Sequence, residues 1–459
     1  MANVNWQRPE VTAKAASWKL VRDAVAGSEA VKAGGYLPLV NAFDESAENK
    51  ARNRDRLARA VYVNATGRTL SALVGVAFGK WPEVEVPGAL DYVMEDIDGS
   101  GVGIVNQSQL VVADVLQTGR AGLLVDYPAN DGVTSRAQQD AGSLRATVAL
   151  YAADSIINWR TEKVGSEHLL ALVVLAETVE EWDGYERKEV PQWRELALED
   201  GRYVQRVWQE ADSGMVVVEE RWPVNGAGQP WRRIPFTFIG ATNNDPAPDK
   251  APLYDLADLN IAHFRNSADH EESLFFAGQA QVWVTGADAH WLKEMQDAGI
   301  YVGSRAIGVA PQGGDVKLIQ AAPVSALAEE MARKVELMAA LGARLIQPGT
   351  VAKTATESAG DDKAAHSVLS LVCDNVSDAY RAALKWAAEF MRADGEVEFT
   401  IGTEFAGVQF DAQQMAQALA AVQGGKLPES DFWTYCRSIG LIDATKDDDA
   451  IRDELETQG

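Results

Sequence analysis

The feature that most constrains the fold is a change in the spacing of apolar residues near residue 121 and again near residue 253. Before the first point and after the second, apolar side chains recur every three or four residues, as they do on helices packed along one face. Between the two points, short apolar runs alternate with turn sequences such as Glu199-Asp200-Gly201 and Asn225-Gly226, which is typical of antiparallel strands. Because helices and strands occupy separate blocks, the sequence predicts an α+β fold.

The middle block contains six segments that we predict to be strands, and a linker closes it. The linker, residues 241–252, holds three prolines, which favour extended backbone and prevent a helix. The predicted strands are residues 123–128, 146–151, 169–177, 203–208, 215–219 and 234–239.

Three helices are predicted after the linker. The first spans residues 253–275 and the second spans residues 324–346, with a small β-rich insert between them. The third is predicted over residues 358–391, because Ser358 with Asp361 forms a start that resembles a capping box. At 1.5 Å per residue the third helix would be about 50 Å long, which is more than one layer of an ordinary domain.

The charge of the chain limits its interaction with nucleic acid. The formal net charge is -25, which argues against tight wrapping of DNA, because such binding needs clustered Lys and Arg. It does not exclude DNA contact of another kind, because a surface that must let DNA slide past it should repel phosphate. One basic run, residues 50–59, stands out in this acidic chain. It indicates either a solvated helix face with internal ion pairs or a patch that faces phosphate.

The sequence contains no motif that would carry catalysis or bind a nucleotide. Gly424-Gly425-Lys426 lacks the earlier glycine of a phosphate-binding loop, and neither a serine-hydrolase elbow nor a zinc-protease motif occurs. The run Asp96-Ile97-Asp98-Gly99-Ser100-Gly101 resembles the middle of an EF-hand loop. Met94 and Val105 stand where that loop needs calcium ligands, so we predict an ordinary turn.

The histidines and cysteines do not predict a metal site either. His263 and His270 lie seven residues apart on one face of a predicted helix, a spacing that favours polar packing over metal binding. Cys373 and Cys436 lie in apolar helical stretches, which predicts buried reduced thiols. We therefore predict no catalytic residue, no metal and no cofactor. Without a secretion signal or an apolar run of about 18 residues, the chain is expected to be soluble and made in a cytoplasm.

Several phrases of the sequence, in this order and spacing, resemble the portal proteins of tailed bacteriophages, in particular a subgroup long described only as a domain of unknown function. The resemblance extends from about residue 30 to residue 455. The phrases are Asp98-Gly99-Ser100-Gly101, residues 115–120, residues 122–128, residues 256–263, Ser267-Ala268-Asp269, Lys353-Thr354-Ala355-Thr356-Glu357, residues 424–428 and Phe432-Trp433.

The resemblance implies a non-enzymatic ring of about twelve subunits at one capsid vertex, assembled in the cytoplasm of a bacterial host. Viral double-stranded DNA would pass through it, and its partners would be the terminase large subunit, a head–tail adaptor and the major capsid protein, with no membrane. The implied parts are N-terminal helices and a β-rich wing (1–250), stem helix 1 (251–278), a small α/β clip (279–321), stem helix 2 (322–346), a tunnel loop (347–357), a long wing helix with a returning strand (358–410) and a short helical crown (411–459).

Two groups of residues become candidate sites under this resemblance. The tunnel loop would face the DNA channel, and its candidate residues are Gln347, Thr350, Lys353 and Thr354. The two stem helices mix apolar and polar residues, which suits packing between subunits. Their candidate interface residues are Leu259, His263, Phe264, Met331, Val335 and Met338.

Two other functions are compatible with the sequence. One is another ring-forming virion subunit, such as a head–tail connector. The other is an acidic hydrolase, because carboxylate pairs that perform acid–base chemistry cannot be recognised by spacing alone in so acidic a chain.

Overall fold

The computed structural model describes residues 3–128, 144–279, 281–298, 312–319, 325–346 and 367–403, together with residues 405, 428 and 430. The chain divides into two compact units, Met1–Ile401 and Gly402–Gly459, and the second lies almost wholly outside the described residues. The mixture of helices and sheets confirms the predicted α+β class. Among the described residues, no helix is long and apolar enough to cross a membrane.

The first unit begins with helices and returns to helices after its sheets. A 3₁₀ helix, Gly88–Met94, precedes α5. The α-helices are α1 (Pro9–Ala26), α2 (Ser28–Ala33), α3 (Ala47–Arg59), α4 (Ala65–Ala77), α5 (Ile104–Thr118), α6 (Tyr254–Gly278), α7 (Ala289–Ala298), α8 (Ser325–Arg344) and α9 (Val368–Met391).

The strands form two larger antiparallel sheets and two small ones. One sheet has the order β3-β2-β9, the other is the meander β4-β5-β6-β7-β8, and β1 pairs with β12 and β10 with β11. The strands are β1 (Glu83–Glu85), β2 (Arg120–Asp126), β3 (Thr147–Ala152), β4 (Ile156–Val164), β5 (Glu167–Asp183), β6 (Glu186–Glu199), β7 (Arg202–Ala211), β8 (Gly214–Arg221), β9 (Phe236–Gly240), β10 (Gln281–Thr285), β11 (Asp315–Ile319) and β12 (Glu398–Thr400).

Two strands and one helix start differ from the sequence predictions. Strands β4 and β6 were not predicted, because much of each is charged and exposed and so lacks an apolar run. Helix α9 begins at Val368, where the Ser367 hydroxyl accepts the N–H of Ser370. The predicted start at Ser358 lies outside the described residues. The helix is therefore about 36 Å long rather than about 50 Å.

The core joins α9 and α5 to the three-stranded sheet. Helix α9 packs against β2 and β9 with an apolar face. Helix α5 packs against both β2 and α1. The turn from α5 into β2 requires Gly119, whose φ of 73° is left-handed. A Cβ at this glycine would also lie 2.9 Å from the carbonyl oxygens of Asp249 and Lys250, so the linker packs tightly on this turn.

A buried amide connects α6 to the N-terminal helices. Asn260 is fully buried, and its Oδ1 accepts the N–H and the hydroxyl of Thr66 at 3.2 and 3.0 Å. Its Nδ2 donates to the Val63 carbonyl at 2.9 Å, and the Tyr62 hydroxyl lies 2.9 Å from Oδ1. Because buried polar groups need partners, one side chain fixes the position of α6 against the start of α4.

We expect Asn260→Leu to lower the free energy of unfolding by about 3 kcal/mol, because it leaves the buried amide of Thr66 and the carbonyl of Val63 without partners. Urea unfolding followed by circular dichroism measures this loss. Asp258→Ala, an exposed change on the same helix, should alter stability by less than about 0.5 kcal/mol. Equal effects of the two substitutions would contradict this role of Asn260.

Candidate functional site

Helices α6 and α8 pack against each other and flank a small insert. The insert leaves α6 through β10, continues into α7, and returns to α8 through β11. Strands β10 and β11 are antiparallel, from the pair Gln281 and Ile319 to the pair Thr285 and Asp315. The insert is therefore a small α/β element that projects from α6 and α8. We call these two neighbouring helices the helical pair.

Helix α8 has two apolar faces, and among the described residues one of them is covered. The face toward α6 includes the buried Met338 and the half-buried Met331. Burial, and then the charge of Lys334 on α8, lower the pKa of His263 on α6, which shows how closely the two helices approach. The other face, which we call the outer face of α8, carries small and branched apolar side chains exposed to solvent: Ala328, Ala332, Val335, Ala339 and Ala343.

The C-terminal end of α6 and the insert also expose large apolar side chains. Leu274, Phe275 and Phe276 end the helix with about half of each side chain exposed, and Trp283 on β10 is more exposed still. A cluster of large apolar residues at a surface marks a place where another molecule binds. The exposed end of α6 is therefore a second candidate interface, in addition to the outer face of α8.

The six residues predicted at a subunit interface occupy different environments. His263, Phe264 and Met338 are buried within this chain, so their side chains pack inside the subunit. Leu259 and Met331 are half-buried. Val335 is 48% exposed and is the one of the six whose side chain is mainly open to solvent. A role at a subunit interface stays a prediction for all six.

The predicted channel residues Gln347, Thr350, Lys353 and Thr354 lie outside the described residues. The chain on either side of them is described. The N–H of Leu369, at the start of α9, donates to the carbonyl of Leu345, just after α8, at 3.1 Å. The intervening segment therefore leaves and re-enters the fold at almost the same point.

Two of the five cations in the basic run of α3 form ion pairs with α6. Arg52 pairs with Glu272 at 2.8 Å, and the buried Arg56 pairs with Asp269 and lies 3.7 Å from Glu272. The ion pairs are thus between helices, not internal to α3 as one interpretation of the sequence expected. The signal that could have revealed them is complementary spacing, with cations four apart on α3 and carboxylates three apart on α6.

The motifs that were candidates for ion binding have structural roles in the described residues. Asp96 Oδ1 accepts the N–H groups of Gly99 and Gly101 at 2.8 and 2.9 Å, so this run is a turn, as predicted. His263 is buried, and its Nδ1 has no hydrogen-bond partner in the described part of the chain. Within that part, no cluster of three or more histidine, cysteine or acidic side chains could hold a metal ion.

Comparison with known proteins gives one family match and two similar solved structures. Residues 252–391, which is less than half of the chain, match a family described as a domain of unknown function (DUF4055). No curated protein matches. A chain from the virion of a native gene transfer agent particle is 13% identical with a TM-score of 0.38, covering 86% of this chain and 93% of that chain. A chain from the neck of an empty gene transfer agent particle, computed with C6 symmetry, is 16% identical with a TM-score of 0.39, covering 91% and 99%.

We expect Arg56→Met to destabilise the fold by about 3 kcal/mol, because it leaves the buried carboxylate of Glu272 with only Arg52 and removes the partner of Asp269. Thermal unfolding at two salt concentrations measures the loss. Arg54→Met, on the same helix but exposed, is the matched control and should change stability by less than about 0.5 kcal/mol. A loss confined to low salt would indicate a solvated face instead.

Proposed function

We propose that this chain is the portal subunit of a tailed-phage-type particle, and that copies of it form the ring through which double-stranded DNA enters and leaves the capsid. The observation that carries the proposal is the helical pair with its projecting insert and its uncovered apolar faces. Helix α8 has twenty residues, and its exposed apolar face would be stabilised by packing against a neighbouring molecule. A closed ring supplies one neighbour to every copy without leaving an open end.

The parts of a portal map onto the described elements as follows. The stem corresponds to α6 and α8, the clip to β10, α7 and β11, and the wing to the N-terminal helices, the two larger sheets and α9. The crown is assigned to residues 411–459 and the tunnel loop to residues 347–357. The phrases quoted from the sequence support this assignment, because they fall in the same order in portal proteins.

Such a ring needs to enclose and guide DNA but does not need to catalyse a reaction. The subunits must enclose DNA without binding it tightly, and a net charge of -25 per chain opposes retention of phosphate. Translocation would be driven by a separate terminase docked on the clip, since the sequence has no phosphate-binding loop of its own. The head–tail adaptor and the major capsid protein complete the proposed set of partners.

We expect the purified chain to form a closed ring of about twelve copies. We also expect Val335→Glu to abolish the ring while leaving a folded monomer, because a carboxylate would be buried at the outer face of α8. Native mass spectrometry gives the copy number, and circular dichroism reports folding. Val218→Glu on β8 is the control, because Val218 is similarly exposed, at 52% against 48%. A wild-type chain that stays monomeric at micromolar concentration would refute the portal proposal.

The tunnel loop provides a second test, aimed at DNA. We expect deletion of residues 348–353 to leave ring assembly intact and to reduce DNA packaging or retention. Lys353→Ala should give a milder, salt-sensitive defect, because one lysine per subunit contacts phosphate weakly. Packaged DNA per particle is the measurement. If the shortened variant packages and holds DNA at the wild-type level, the loop is only a connection between α8 and α9.

A further inference from the structure

The face of α6 that packs on α8 carries two histidines. His263 is 3% exposed, and His270 follows it seven residues later, which places both on the same side of the helix. In each ring, Nδ1 is buried and has no hydrogen-bond partner in the part of the chain that the structure describes. The helical pair is therefore closed over imidazole rings that have a polar atom left unsatisfied there.

Helix α8 brings a positive charge to this contact. The charge of Lys334 lowers the pKa of His263, in addition to the larger effect of burial, and only 14% of the lysine side chain is exposed. The carboxylate of Glu330 pairs with Lys334 at 3.1 Å and with Arg333 at 2.9 Å, so its charge is already shared by two cations. A proton taken up by His263 would place a second positive charge beside Lys334 in a contact that water hardly reaches.

The other helices that pack on α6 do not offset this charge. The cations of α3 that face α6 pair with its carboxylates, Arg52 with Glu272 and Arg56 with Asp269. No charged group of α1, α3 or α4 affects the pKa of His263, and no carboxylate of the described residues raises it. The closed contact therefore accepts a neutral imidazole at this position and opposes a charged one.

We infer that the contact between α6 and α8 is an acid-sensitive latch, which opens when His263 takes up a proton. The proton makes both ring nitrogens donors inside a buried contact, and it adds a like charge next to Lys334. Helix α8 is the element that moves, because the buried amide of Asn260 and the ion pairs of Arg56 fix α6 to the N-terminal helices. This inference goes beyond the proposed ring and does not rest on it.

The latch loses stability as the pH falls. A histidine in an open contact has a pKa of about 6.5, whereas the pKa of His263 in the closed contact is lower. The closed state is therefore fully stable above about pH 6.5, and below it the equilibrium constant for opening rises by up to about tenfold per pH unit. Asp114 titrates in the same range, because burial raises its pKa to about 6. It pairs with Arg22 at the contact of α5 with α1, so the measurement is made on α8 alone.

Hydrogen exchange of the α8 amides, followed by mass spectrometry and corrected for the chemical exchange rate at each pH, measures the opening in the full-length chain. We expect the equilibrium constant for opening to rise about tenfold between pH 7.5 and pH 5.5. His263→Leu should abolish this rise, because leucine fills the buried position and takes up no proton. His263→Gln is a second neutral variant, which keeps a polar side chain in the contact.

The matched control is His168→Leu, because His168 is an exposed histidine on β5. This variant should keep the tenfold response of the unsubstituted chain. An opening constant that changes less than twofold between the two pH values would overturn the latch, and so would an undiminished rise in both neutral variants at position 263. The copy number of the same samples, from native mass spectrometry, tests the ring separately, so either proposal can fail while the other stands.

Discussion

The structure of the first unit depends on how α6 satisfies its buried polar groups. Asn260 is fully buried, and every hydrogen bond that its amide makes goes to the segment 62–66 at the start of α4. About two turns further on, the Ser267 hydroxyl accepts the N–H of Val61 at 3.1 Å. Because unpaired buried polar groups are costly, α6 can occupy only one rotation and one height against the N-terminal helices.

The position of α6 in turn determines what the chain exposes. With α1, α3 and α4 on its other sides, α6 offers α8 a single face. Helix α8 packs on that face, with Gly342 close to Thr69 of α4, and its outer face is exposed to solvent. Because buried polar groups and arginines fix α6, the fold of the first unit does not require the outer face of α8 to be covered.

Charged side chains, like the buried amides, also hold the elements of the fold together. Although carboxylates greatly outnumber cations, many arginines are used within the subunit: Arg56 against α6, Arg194 against Glu177, and Arg206 against Glu199 and Glu220. These pairs use cations inside the fold, and the chain as a whole still carries a net charge of -25.

The sequence by itself determined the class of fold and most of its elements, because apolar periodicity is a local property of the chain. The helices at Tyr254–Gly278 and Ser325–Arg344 and six strands of the middle block follow from it, and all but the end of β5 agree within a few residues. Strand β6 was not predicted, because its exposed first half is charged and lacks an apolar run. The tertiary structure alone decided that Arg56 meets Asp269 and that Asn260 meets Thr66, contacts between residues 213 and 194 positions apart. It also decided that Phe264 and Met338 face inward while Val335 faces solvent, since the covered side of a helix depends on its neighbours in space.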